Sequence, residues 1–155
     1  MTTDLGAPVD AHCEQRVRDS FARQALMKHL GASIGQVRRG LVSIHMLFSP
    51  LLTQQHGYFH AGASSAIADS AGGYAAFTLF PPKSSVLTVE FKVNLLKPAK
   101  GEALEAVGRV IRSGRTLTIC QLEVLAEKDG AQTLVAIGQQ TLICMQGRED
   151  GPTLR

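Results

Sequence analysis

A chain of 155 residues with 45% hydrophobic and 19% charged side chains has the size and balance of one ordinary globular domain, not of a disordered or membrane-embedded chain. Its net charge of +3 is spread without a basic block, which implies no nucleic-acid partner but would suit a phosphate-bearing small molecule. Three widely spaced cysteines, Cys13, Cys120 and Cys144, provide neither a disulfide framework nor ligand spacing for a metal.

The first residues carry Asp4, Asp10 and Glu14 where a secretion signal would need an apolar run, so a cytoplasmic location is expected. From Glu14 to Leu30, the side chains Val17, Phe21, Leu26 and Leu30 recur at near-helical spacing, and Gly31 stops the amphipathic helix they predict. Ile34 to Arg38 and Leu41 to Leu47 predict a hairpin turning at Arg39-Gly40, which Ser49-Pro50 ends. Ala61 to Leu79 is rich in Ala, Ser and Gly, free of proline, and closed by Pro81-Pro82, which predicts a second helix. Gly62, Ser65, Asp69, Gly72 or Gly73, and Ala76 share one face of it, and such small side chains let other backbone come close. Asp69 and the Ser and Gly residues make the same stretch a poor membrane span.

Four long strands are predicted next, over Ser85 to Leu96, Glu102 to Arg112, Arg115 to Glu127 and Gln132 to Met145. Ser113-Gly114 and Lys128-Asp129-Gly130 are the turns. In the first strand Leu87, Val89, Phe91, Val93 and Leu95 alternate with Thr88, Glu90, Lys92 and Asn94, which predicts one buried and one exposed face. One long helix and a meander of long strands bury their apolar sides together if a curved antiparallel sheet wraps the helix, an α+β layout. The expected organisation is a helical segment over 1–30, one domain over 31–146 and a frayed tail over 147–155.

Two features point to chemistry. Gln54 through Gly62 leads straight into the second helix, whose first amides lack internal partners and carry the positive end of the dipole. Asp69 follows two turns later in a helix of otherwise neutral residues, where a carboxylate must face solvent or a cleft.

The register of these features is informative. Gln54 is followed after three positions by Gly57, after three more by His60-Ala61-Gly62, and nine positions past that histidine by Asp69. Together with Thr88-Val89-Glu90-Phe91, Leu96-Lys97-Pro98-Ala99, Arg112-Ser113-Gly114-Arg115 and Asp129-Gly130, the run resembles hot-dog-fold thioesterases of the phenylacetate-degradation (PaaI-like) group over residues 30–145. The resemblance implies the hot-dog fold, a curved antiparallel sheet around one central helix. It implies hydrolysis of an acyl- or aryl-acetyl-coenzyme A, with Asp69 as nucleophile or as the general base that activates water. It also implies an oxyanion hole at the amide of Ala61 or Gly62, with Gln54 and Thr88 orienting the carbonyl or the water. Relatives carry Gly where Ala61 stands. Thr88 lies on the polar side by simple alternation, so its role needs that side, or a bulge, to face the cleft.

His60 is read as either a general base or a residue that packs and hydrogen-bonds at the helix start. Lys97, Arg112, Ser113, Gly114 and Arg115 are candidates for the coenzyme A phosphates. No cofactor or metal is expected, since coenzyme A arrives within the substrate. The resemblance further implies a homodimer or homotetramer with a site assembled between subunits. Two rivals remain: a hot-dog enoyl-coenzyme A hydratase or dehydratase, and a non-catalytic acyl-coenzyme A-binding module.

Overall fold

The computed structural model describes residues 4–151, so residues 152–155 of the expected tail lie outside the described residues. In chain order the elements are α1 (Ala11–Ala22), α2 (Ala25–His29), β1 (Ala32–Arg38), β2 (Leu41–Leu47), a short 3₁₀ turn (Pro50–Leu52), α3 (Ala61–Phe77), β3 (Ser84–Leu95), β4 (Ala103–Ser113), β5 (Leu117–Lys128) and β6 (Ala131–Gln146). All strands join one antiparallel sheet in the order β1-β2-β4-β5-β6-β3. The sheet packs around α3, whose face of Ile67, Ala71, Ala75 and Phe77 is fully buried. This is the α+β hot-dog layout that the sequence predicts.

The helix predicted over Glu14 to Leu30 is in fact two. Asp10 caps α1 by accepting from the Cys13 amide at 2.7 Å, and Val17 and Phe21 turn into the core. The helix breaks at Gln24, whose backbone is extended (φ −72°, ψ 104°). There the Gln24 side chain donates to the Tyr74 hydroxyl at 2.9 Å and accepts from the Ser70 hydroxyl at 3.1 Å, both on α3. Tertiary hydrogen bonds thus replace one helical turn. Arg16 fastens the far end of α3: its guanidinium lies 4.2 Å over the Phe77 ring and donates to the carbonyls of Phe77, Phe80 and Pro81 at 2.7–2.9 Å. Carbonyls at a helix C-terminus have no internal donors, and a cation suits them.

The small side chains of α3 serve close approach, as predicted. A Cβ on Gly108 of β4 would stand 2.4 Å from the backbone of Ala71 and Gly72, so helix and sheet touch there main chain to main chain. Gly108→Ala is therefore expected to destabilise the fold by about 1–3 kcal/mol through overpacking, read as a lower denaturant midpoint. The turn predicted over Lys128-Asp129-Gly130 narrows to two residues at the β5–β6 hairpin, where Asp129 and Gly130 both take positive φ (51° and 74°) and Lys128 ends β5.

The expectation of a buried alternating face on β3 needs correction. Leu87, Val89, Phe91 and Leu95 are 46–60% exposed in the single chain. Two causes combine. β3 is an edge strand, paired only with β6, and a bulge at Val89 shifts its register between Thr88 and Glu90. The bulge turns Val86 and Thr88 toward α3 on one side of the shift and Val93 toward the core on the other.

Candidate active site

The loop before α3 is shaped by its own backbone. Thr53 and Phe59 form a bridge, the Gln54 amide donates to the Tyr58 carbonyl at 2.9 Å, and the Gly57 amide donates to the Gln54 carbonyl at 2.9 Å. Gly57 closes this turn at φ +81°, a conformation that a side chain would strain. The Gln54 side-chain oxygen accepts from the His56 amide, leaving its amino group available. His60 is the N-cap of α3: Nδ1 accepts from the Gly62 amide at 2.8 Å, and its carbonyl accepts from Ala63 and Ser64. Of the two predicted oxyanion donors, Gly62 is thus already engaged, whereas the Ala61 amide has no acceptor among the described residues.

Ala61 and Gln54 line a cleft of about 430 Å³ with Tyr58, Leu95 and Lys97, bounded by the chain that continues from β3. Its walls are largely apolar, with polar groups from Gln54 and Tyr58 of the loop, Ser64 of α3 and Lys97 beyond β3. Arg112, Ser113, Gly114 and Arg115 are placed elsewhere, on the exposed β4–β5 hairpin, where Ser113 meets the Thr118 hydroxyl at 3.2 Å. They line neither this cleft nor the one that contains Asp69.

Asp69 opens into a second cleft, of about 270 Å³, between α3 and the first half of β3. Its Oδ1 accepts from the Thr88 hydroxyl at 2.7 Å and from Gln140 Nε2 at 2.5 Å. The bulge at Val89 is what brings Thr88 to this side. Leu26, Leu87 and Leu142 provide apolar wall, and Gln24, Ser70 and Tyr74 a hydrogen-bonded floor. Burial pushes the Tyr74 phenol up, against the lowering effect of its bonds to Ser20 and Gln24, so it stays neutral.

Gln140 escaped sequence reasoning. It belongs to a Gln139-Gln140 pair within apolar β6, and strand alternation requires one of the two to point inward. No cysteine lines either cleft, and burial pushes the Cys120 thiol up to about 12, far from a working nucleophile. No cluster of three or more His, Cys, Asp or Glu stands at metal-binding spacing among the described residues.

Residues 56–132 match the model of the Thioesterase superfamily. The chain is 47% identical to a thioesterase family protein from Silicibacter pomeroyi, covering 87% of this chain and 99% of that one, with a TM-score of 0.85. It belongs to the thioesterase superfamily. A Pasteurella multocida protein named "putative esterase" is 30% identical over 79% of this chain and 86% of its own length. The E. coli PaaI protein of the phenylacetic acid degradation operon shares the fold at a TM-score of 0.79 and 20% identity, over 88% of this chain and 96% of that one.

As a superfamily member the chain is a thioester hydrolase, and its likeness to the PaaI protein is one of fold. The matched stretch contains His60, Ala61, Asp69 and Thr88 but neither Gln54 nor Gln140. Ala61 and Asp69 occupy different clefts because they stand eight positions apart on α3, about 12 Å along the axis. Each cleft of one chain thus holds only one of the two.

Proposed function

We propose that this thioesterase hydrolyses an acyl- or aryl-acetyl-coenzyme A to the free acid and coenzyme A, at a site shared by two subunits. The observation that carries this is the carboxylate of Asp69, fixed in an otherwise neutral cleft by Thr88 and Gln140. Asp69 acts on the thioester carbonyl directly or through a water whose proton it accepts. The amide of Ala61, aided by the Gln54 amino group, stabilises the oxyanion that forms in the transition state. Coenzyme A leaves as the thiol and no cofactor is consumed.

The edge strand β3 supports the shared site. It presents Leu87, Val89, Phe91 and Leu95 together with unpaired backbone, a surface suited to a second copy of itself. Antiparallel pairing of two such strands about a two-fold axis sets the Thr88 half of one against the Leu95 half of the other. The Asp69 cleft of one protomer then adjoins the Ala61 cleft of its partner. A dimer is the minimum working unit, and a tetramer would add to it without changing the site. Lys97, in the Ala61 cleft, is the cation best placed for a coenzyme A phosphate. His60 acts as the helix cap, since its Nδ1 is already committed to Gly62. We place the protein in the cytoplasm, where three free cysteines persist; no helix among the described residues is long and apolar enough to cross a membrane.

The test is thiol release from a panel of acyl- and aryl-acetyl-coenzyme A substrates by the purified protein. Release that saturates with substrate is expected. Water addition to an enoyl thioester without thiol release would favour the hydratase instead, and tight binding with neither product a binding module.

A further inference from the structure

Gln140 is 1% exposed, on β6 opposite Phe91, and its two ends are treated very unequally. Its Nε2 lies 2.5 Å from Asp69 Oδ1, 3.1 Å from the Asp69 carbonyl and 3.0 Å from the Thr88 hydroxyl. Its Oε1 is buried without any partner. That oxygen rests against α3 at Gly72, where even a methyl group would stand 2.0 Å away. A buried carbonyl without a donor costs stability. Turning the amide over would not relieve it, because the oxygen would then face the carbonyl and carboxylate of Asp69. The orientation of Gln140 is therefore dictated by Asp69 and Thr88.

We infer that Gln140 is the positioning residue for Asp69, holding Oδ1, the Asp69 carbonyl and the Thr88 hydroxyl in one cluster so that Oδ2 is left to work on the thioester. This rests on the role of Asp69 proposed above. A primary amide engages a carboxylate oxygen only through N–H, which is how Gln140 meets Asp69. Of the groups lining the cleft from α2 and its cap, α3, β3 and β6, Tyr74 is the one other titratable side chain, and its hydroxyl is engaged by Ser20 and Gln24. Glu90 accepts from Thr141, beyond the bulge and outside the cleft lining. Lys28 and His29 of α2 and Lys92 of β3 lie outside the cleft lining, and none of them forms an ion pair with Asp69.

The experiment compares Gln140→Met, Gln140→Glu and Asp69→Asn in thermal unfolding and in steady-state thiol release across pH, using the best substrate of the panel. Gln140→Met removes the unpaired carbonyl, so its unfolding temperature should match or exceed that of the unmodified protein. Its kcat should nevertheless fall on the order of 10²-fold with KM little changed, the cost of a misplaced reacting group. Gln140→Glu sets a second carboxyl against Asp69, and the acidic limb of kcat/KM should move up by about one pH unit or more. A kcat within about twofold for a folded Gln140→Met, or an unmoved acidic limb for Gln140→Glu, overturns the inference. Should Gln140→Met fail to fold, the pH profile of Gln140→Glu decides alone. An inactive Asp69→Asn beside an unaffected Gln140→Met overturns the role of Gln140 only, whereas a fully active Asp69→Asn overturns both proposals.

Discussion

Asp69→Asn is expected to lower kcat for thioester hydrolysis by about 10³-fold or more while leaving the unfolding transition in place. The two side chains have the same shape, and asparagine keeps an oxygen where Thr88 and Gln140 donate. What disappears is the charge and the second oxygen, which attack or proton transfer requires. The measurement is thiol release with saturating substrate, beside a thermal melt of the same preparation. Activity within about tenfold of the parent would mean that the chemistry lies elsewhere.

The second large effect is expected at the other cleft. Ala61 is the first residue of α3, where proline is well tolerated because its ring presets the helical φ and no internal bond needs the amide. His60 already has the extended backbone that precedes proline (φ −66°, ψ 138°). Ala61→Pro thus deletes one N–H with little disturbance to the fold. If that amide meets the developing oxyanion, kcat should fall by about 10²–10³-fold. KM should change little, because the charge is absent from the bound substrate. A fall in KM-dependent binding alone, with kcat retained, would assign Ala61 to packing against the substrate.

The helix start and its acid were legible because their spacing is local: Gln54, Gly57, His60 and Asp69 stand in one continuous stretch, and a fixed helical repeat carries one to the next. The strands were legible for the same reason, since alternation and the Asp129-Gly130 turn are short-range signals. Illegible features depended on distant chain. The break at Gln24 exists because Tyr74 and Ser70 offer it hydrogen bonds. Leu87, Phe91 and Leu95 read as core because alternation reports that a face is apolar, not what covers it. The face of Thr88 turns on a single bulged residue, and Gln140 is told from Gln139 only by knowing which way β6 presents them. His60 shows the limit in a different way. An imidazole is a candidate base by residue type, yet the structure uses it to occupy the Gly62 amide, which leaves Ala61 as the free donor.

In the proposed dimer, Asp69 of one protomer works with the helix start of its partner. Co-expression of Asp69→Asn chains with Ala61→Pro chains tests it directly, because each chain alone is inactive. In a two-fold dimer with a shared site, every mixed pair holds one fully intact site and one doubly damaged site. With equal amounts and random pairing, half the dimers are mixed, so activity should return to about one quarter of the parent level. If the two residues served one site within the same chain, the mixture would stay as inactive as its components, and the shared site would be contradicted.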